Sequence, residues 1–187
     1  MNTQPLIIVV AGASSSGKGL VADLLRVHGF TAFELSEPLP RLVPPGIPFQ
    51  ERLDRLSKLY DETGGTILIR ALLEKINAHQ ENAKLAIIGA RQQAEVDEIT
   101  KTLGKPIVIG VYATLDTRFK RSIERARPDG PLTRTDFLTL TFWEYSLGLA
   151  RILCRADYLL ENSGERIEFE LSLKKILLNI TPPLPEQ

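Results

Sequence analysis

The apolar run Leu6-Ile7-Ile8-Val9-Val10-Ala11 passes directly into Gly12-Ala13-Ser14-Ser15-Ser16-Gly17-Lys18-Gly19, and then into Leu20-Val21-Ala22-Asp23-Leu24-Leu25. No other stretch constrains the fold as much. The first run reads as a buried strand and the last as a helix, so the segment between them must turn the chain sharply. Gly12 and Gly17 admit backbone angles that other residues resist. The loop then turns its N–H groups inward as an anion nest at the positive end of the helix. Lys18 adds a mobile positive charge for outer phosphates. A strand, a G-x-x-x-x-G-K loop and a helix in that order bind phosphate, most often that of a nucleoside triphosphate. Gly12, Ala13, Ser14, Ser15, Ser16, Gly17, Lys18, Gly19 and Leu20 are the candidate binding residues, and Lys18 is also a candidate catalytic group. In such loops the residue after the lysine usually brings a hydroxyl to Mg²⁺. Gly19 and Leu20 offer none, so an ion here has to be held through water, by phosphates and a carboxylate from elsewhere.

The remaining chain alternates strand-like and helix-like runs. Helix continues from the loop to His28, and Gly29 ends it. Phe30 to Leu35 reads as a short strand, with Ser36 as the cap of a short helix after it. Proline-rich 40–48 reads as a loop or a broken helix. Gln50 to Tyr60 and Ile67 to His79 carry helical stripes, separated by Gly64-Gly65. Leu85 to Gly89, Ile107 to Tyr112 and Ala156 to Leu160 read as buried strands. Gln93 to Leu103, Leu115 to Ala126, Thr135 to Cys154 and Arg166 to Ile180 read as helices. Residues 128–131 make a turn, and 181–187 an extended or frayed tail. Repeated strand–helix units with continuous apolar strands predict an α/β fold with a five-stranded parallel sheet covered on both faces. Ligands in such sheets bind beyond the carboxyl ends of the strands. Those ends are Gly12 to Lys18, Glu34 to Glu37, Gly89 to Arg91, and Ala113 to Asp116.

Composition narrows the function. The 23 basic and 23 acidic residues cancel, which argues against a broad nucleic-acid footprint. Hydrophobic content of 43% in 187 residues suits one domain with a real core, and no composition break marks a second. The single cysteine, Cys154, excludes an internal disulfide framework and fits a reducing compartment. It reads as a small buried residue. No run is long enough for a membrane span, and the start lacks a basic leader, so the chain reads as cytoplasmic. His28 and His79 show no ligand spacing, and no metal ligands are assigned.

In order along the chain, four pieces resemble the P-loop nucleoside monophosphate kinase group, above all dephospho-CoA kinase-like and deoxynucleotide monophosphate kinase-like proteins. They are the loop at Gly12 to Gly19; Ile87-Ile88-Gly89-Ala90-Arg91 with Glu95-Val96; Arg118-Phe119-Lys120-Arg121 with Arg125 and Arg127; and Ala156-Asp157-Tyr158-Leu159-Leu160-Glu161-Asn162-Ser163-Gly164. The resemblance spans nearly the whole chain. It implies a three-layer P-loop kinase fold, a helical substrate insert over 38–80 and a lid over 118–135. It also implies ATP and Mg²⁺ as cofactors, a small phosphate-accepting partner such as a nucleoside monophosphate or dephospho-CoA, and a monomer or homodimer without nucleic acid or membrane. Arg121 and Arg125 become candidate catalytic arginines, and Asn162 a nucleotide-binding residue near the base.

Ordinary readings stand beside these. Arg118, Arg121 and Arg125 share a helix face, which serves a lid or a solvated basic face paired with Asp116 and Glu124. Arg91 is a substrate-binding candidate or a surface salt-bridge partner. Glu34 is an acceptor-side group or a capping carboxylate. A turn alone accounts for Asn162 and Gly164. Trp143 reads as core. Ile88 stands where the resemblance expects an aspartate, and Glu34, Glu37 and Asp54 are the candidate replacements. Loss of that carboxylate and of the loop hydroxyl leaves two alternatives to a kinase, a nucleotide-binding sensor and a slow regulatory ATPase.

Overall fold

The computed structural model describes residues 5–77, 84–125, 131 and 133–181. Its strands are β1 (Leu6–Ala11), β2 (Thr31–Glu34), β3 (Lys84–Ala90), β4 (Ile107–Tyr112) and β5 (Tyr158–Glu161). Its helices are α1 (Lys18–Val27), α2 (Leu39–Leu42), α3 (Phe49–Thr63), α4 (Ile67–Asn77), α5 (Gln93–Leu103), α6 (Leu115–Arg125), α7 (Arg134–Ser146), α8 (Leu149–Cys154) and α9 (Arg166–Ile180). All the pairings are parallel and the order is β2-β3-β1-β4-β5. β1 lies at the centre, and the phosphate loop leaves its carboxyl end.

Strand alternation divides the core into two. Ile7, Val9 and Ala11 face one side, with Ile69 and Leu72 of α4 and Ile99 of α5. Ile8 and Val10 face the other, with Val21 and Leu25 of α1 and Phe169, Leu173 and Leu177 of α9. The α9 residues recur every four positions, so one stripe seals that face. Each of these large apolar side chains contributes roughly 1.5–3 kcal/mol by leaving water. The stripes thus make the sheet end a rigid platform for the loops that leave it.

Three expectations change. The stretch Thr135 to Cys154 forms two helices, because Gly148 adopts φ 108° and restarts the chain as α8. Cys154, expected to be buried, is exposed at the end of that short helix. Ser36 does not cap α2, whose N-terminus rests on Pro38 without a side-chain bond. His79, Arg127, residues 128–130 and 182–187, and the far end of the 38–80 insert lie outside the described residues.

Candidate active site

The loop takes its shape from two left-handed residues. Ser15 has φ 62° and Gly17 φ 108°. Neighbouring residues of opposite hand curl the backbone into a concave run of N–H groups. Gly17 is confined further by the Asn162 side chain, onto which any Cβ there would fall. A Cβ on Gly12 would meet the Val111 carbonyl oxygen at 2.5 Å. The N–H groups of Gly17, Lys18 and Gly19 open the first turns of α1, where no intrahelical carbonyl is in register to accept them.

Lys18 Nζ donates to the carbonyl oxygens of Gly12, at 2.7 Å, and Ala13, at 3.0 Å. Burial pushes its pKa down from 10.5 to about 8. The charges of Glu144 and Glu34 oppose that drop, and those of Arg91 and Arg118 add to it. This produces two pH dependences of opposite sign. Between pH 8 and 10.5 the unfolded chain holds more protons than the native one, so ligand-free stability rises with pH in that window. An anion selects the charged lysine, so phosphate affinity is greatest below about pH 8 and falls as pH rises through it. Calorimetric titration with ATP from about pH 6.5 to 9.5 brackets that value, and a flat profile would refute the dependence.

Around the loop stand the arginines. Arg118 is buried; it donates to the Ser14 carbonyl oxygen and to Thr141 Oγ1, both at 3.3 Å. It therefore braces the loop from behind and stands apart from the expected lid face. Arg121 Nη2 donates to Asn162 Oδ1 at 3.4 Å, while its buried Nη1 has no hydrogen-bond partner among the described residues. A buried guanidinium nitrogen left unsatisfied beside Ser15, Gly19 and Leu20 fits an anionic group. Arg125 lies on the rim, lining both this cleft and a larger cavity under the helical insert. Asn162 is buried and donates to the Ser16 carbonyl oxygen at 2.8 Å, so its amide is engaged with the loop backbone.

That larger cavity, of about 700 Å³, runs from the loop to α3 and α4. Lys18, Glu34 and Arg91 line its polar end, and Phe49, Leu53, Leu56, Leu68 and Trp143 its apolar end. Trp143 packs edge-on to Tyr60 and donates its indole N–H to Ser57 Oγ at 2.8 Å. Arg91 comes after β3 at the junction. Burial works against its charge, but Tyr60, Glu144 and Glu95 more than offset this, so its pKa is raised. Buried Glu95 accepts the backbone N–H groups of Arg91, at 2.6 Å, and Gln92, at 3.0 Å, and holds that corner in shape.

Of the carboxylates that the sequence offers as replacements, Asp54 bonds Gln50 on the exposed face of α3. Glu37 bonds Lys75 and the Glu34 N–H. Glu34 alone of the three lines the cavity. Ile88 is buried in the core shared with α1 and α9 and also lines the cavity, to which it presents an apolar side chain in place of a carboxylate. The residue that sequence reasoning passed over is Glu144. It has no exposed surface, accepts the Ser14 N–H at 2.8 Å and hydroxyl at 2.7 Å, and stands 3.5 Å from Arg91 Nε. Its signal was a charge two helical turns after buried Phe137, on the inward side of α7.

Comparison with known proteins fits this geometry. A UPF0200 protein of Hyperthermus butylicus is 33% identical over 179 residues, covering 94% of this chain and 95% of its own. The chain belongs to the UPF0200 family. No family model matches it. Among solved structures, shikimate kinase from Acinetobacter baumannii in complex with shikimate aligns with a TM-score of 0.60 at 18% identity, covering 95% of this chain and 94% of that one. Dephospho-CoA kinase from Campylobacter jejuni aligns at 0.51 and 14%, covering 93% and 96%. This UPF0200 protein thus has the P-loop kinase fold expected from its sequence pieces. Among its described residues, no helix is long and apolar enough to cross a membrane. Nor do three His, Cys, Asp or Glu side chains gather as a metal-holding group among them.

Proposed function

We propose that this UPF0200 protein is an ATP-dependent phosphotransferase acting on a small acceptor. The observation that carries the reading is the continuity of the cavity. One space joins the phosphate loop with a pocket under α3 and α4, and both Lys18 and Arg91 line it. Phosphoryl transfer asks mainly for positioning and charge stabilisation, and cations lining that space provide both.

ATP supplies the transferable phosphoryl group. The loop N–H groups and Lys18 hold its phosphates, and Arg121 turns its unsatisfied nitrogen toward them. Arg125 covers the rim, and Asn162 keeps the loop in its binding shape. At Gly19, Leu20 and Ile88 the chain offers Mg²⁺ neither a hydroxyl nor a carboxylate, so the ion would come with the phosphates of ATP and would neutralise their charge there. The acceptor lies in the deeper pocket. Arg91 meets its anionic part, Glu34 faces its polar part, and Phe49, Leu53, Leu56 and Trp143 enclose an apolar or aromatic part. A nucleoside monophosphate or dephospho-CoA presents that combination.

The test is ADP release from ATP and Mg²⁺ with each ribo- and deoxynucleoside monophosphate, with dephospho-CoA, and with no acceptor. The expected result is ADP formation that depends on one acceptor class. Equal rates in the blank would replace the kinase by a slow ATPase. Nucleotide binding without ADP would replace it by a sensor, the role consistent with the apolar side chains at Leu20 and Ile88.

A further inference from the structure

Glu144 reaches from α7 to the phosphate loop across 130 residues of sequence. Its two oxygens are divided. Oε2 takes the Ser14 N–H, and Oε1 takes the Ser14 hydroxyl and faces Arg91 Nε. One buried group thereby touches both the loop that faces the donor and the arginine that faces the acceptor. Glu144 is absent from the cavity lining, whereas Ser14 and Arg91 belong to it. It acts from behind both. A fully buried glutamate is costly unless its charge is matched. Here the match comes from Arg91, with Lys18 and Arg118 close enough for their charges to feel it.

We propose that Glu144 is a positioning residue of this phosphate site, fixing the tip of the loop at Ser14 and the Arg91 guanidinium relative to one another from α7. The inference deepens the kinase reading and rests on it for the naming of donor and acceptor sides. The charge has a second effect. Lys18 faces Glu144 from α7, Arg91 from beyond β3, Glu34 from β2 and Arg118 from α6. Of the two carboxylates, Glu144 supports the charged lysine more strongly. Neutralising it leaves Lys18 among arginines and burial, with Glu34 as the remaining counter-charge.

The informative variant is Glu144→Gln, which keeps an acceptor for the Ser14 N–H and a similar volume but removes the charge. Inorganic tripolyphosphate is the binding probe, since it reports the phosphate site without a base. Its affinity is titrated against pH by calorimetry for wild type, Glu144→Gln and Glu144→Asp. Melting temperature without ligand is measured alongside. The expected result is an alkaline midpoint of binding that moves to lower pH in Glu144→Gln and returns toward wild type in Glu144→Asp. With the acceptor found by the panel, turnover by Glu144→Gln falls about tenfold or more, mostly in kcat. A lower melting temperature with an unmoved midpoint would reduce Glu144 to a fold-stabilising residue and overturn the proposal. Wild type that binds no tripolyphosphate would overturn it together with the kinase reading. The shifted midpoint in a protein without acceptor-dependent turnover would retain Glu144 in its place and remove only the kinase.

Discussion

Lys18→Ala is expected to lower acceptor-dependent ADP formation about 10²- to 10³-fold, the usual cost of one preorganised charge-stabilising donor. The same substitution is expected to leave the ligand-free melting temperature near that of wild type. Two effects oppose each other there. Truncation relieves the burial that pushes the Lys18 pKa down to about 8. It also removes the donor from the Gly12 and Ala13 carbonyl oxygens. Each is an effect of about 1–3 kcal/mol and they act in opposite directions. Rate and thermal melting measured on one preparation separate the functional loss from misfolding. Turnover close to that of wild type would remove Lys18 from the chemistry.

The second large effect is at Gly17. Gly17→Ala places a Cβ on a residue with φ 108° and drives it into the Asn162 amide. The backbone strain is about 1–3 kcal/mol. Displacing Asn162 leaves the Ser16 carbonyl oxygen without its donor, for a further cost of about 1–3 kcal/mol. For a chain of this size the melting temperature should fall by about 5–15 °C, with tripolyphosphate binding lost as the nest opens. Adding Asn162→Ala removes the collision but neither the strain nor the missing donor to the Ser16 carbonyl oxygen, so the double variant should recover little of the loss. An unchanged melting curve and retained binding in the single variant would show that the loop tolerates a side chain there.

Much of the architecture was legible because it depends on local pattern. Ile7 to Ala11 and Leu85 to Ile88 are apolar without interruption because both faces of their strands are covered, and that leaves a mark in sequence. Gly64-Gly65 and Gly104 end helices where expected, for reasons of backbone angle. The break at Gly148 was written in the same code, yet it was overrun by the apolar residues on either side. Cys154 was misplaced with it, since its exposure depends on where α8 ends.

The site divides along the same line. The phosphate loop is a contiguous motif, so its residues and their spacing announced the chemistry. Glu144 is not contiguous with anything it serves. Its partners come from the loop after β1 and the turn after β3, and only the folded chain brings α7 against both. Glu37 and Asp54 looked eligible because they are acidic and near the expected cleft. Other partners hold them instead, Lys75 of α4 for Glu37 and Gln50, one helical turn away, for Asp54.

Trp143 carries a practical consequence. It is the chain's only tryptophan, and its indole forms part of the wall of the deeper pocket. The protein therefore contains a single indole fluorophore, placed at the compartment whose occupant is unidentified. Emission excited at the red edge reports that compartment without contribution from other indoles, label or engineered reporter. An unlabelled compound library can be screened against the native chain by light alone.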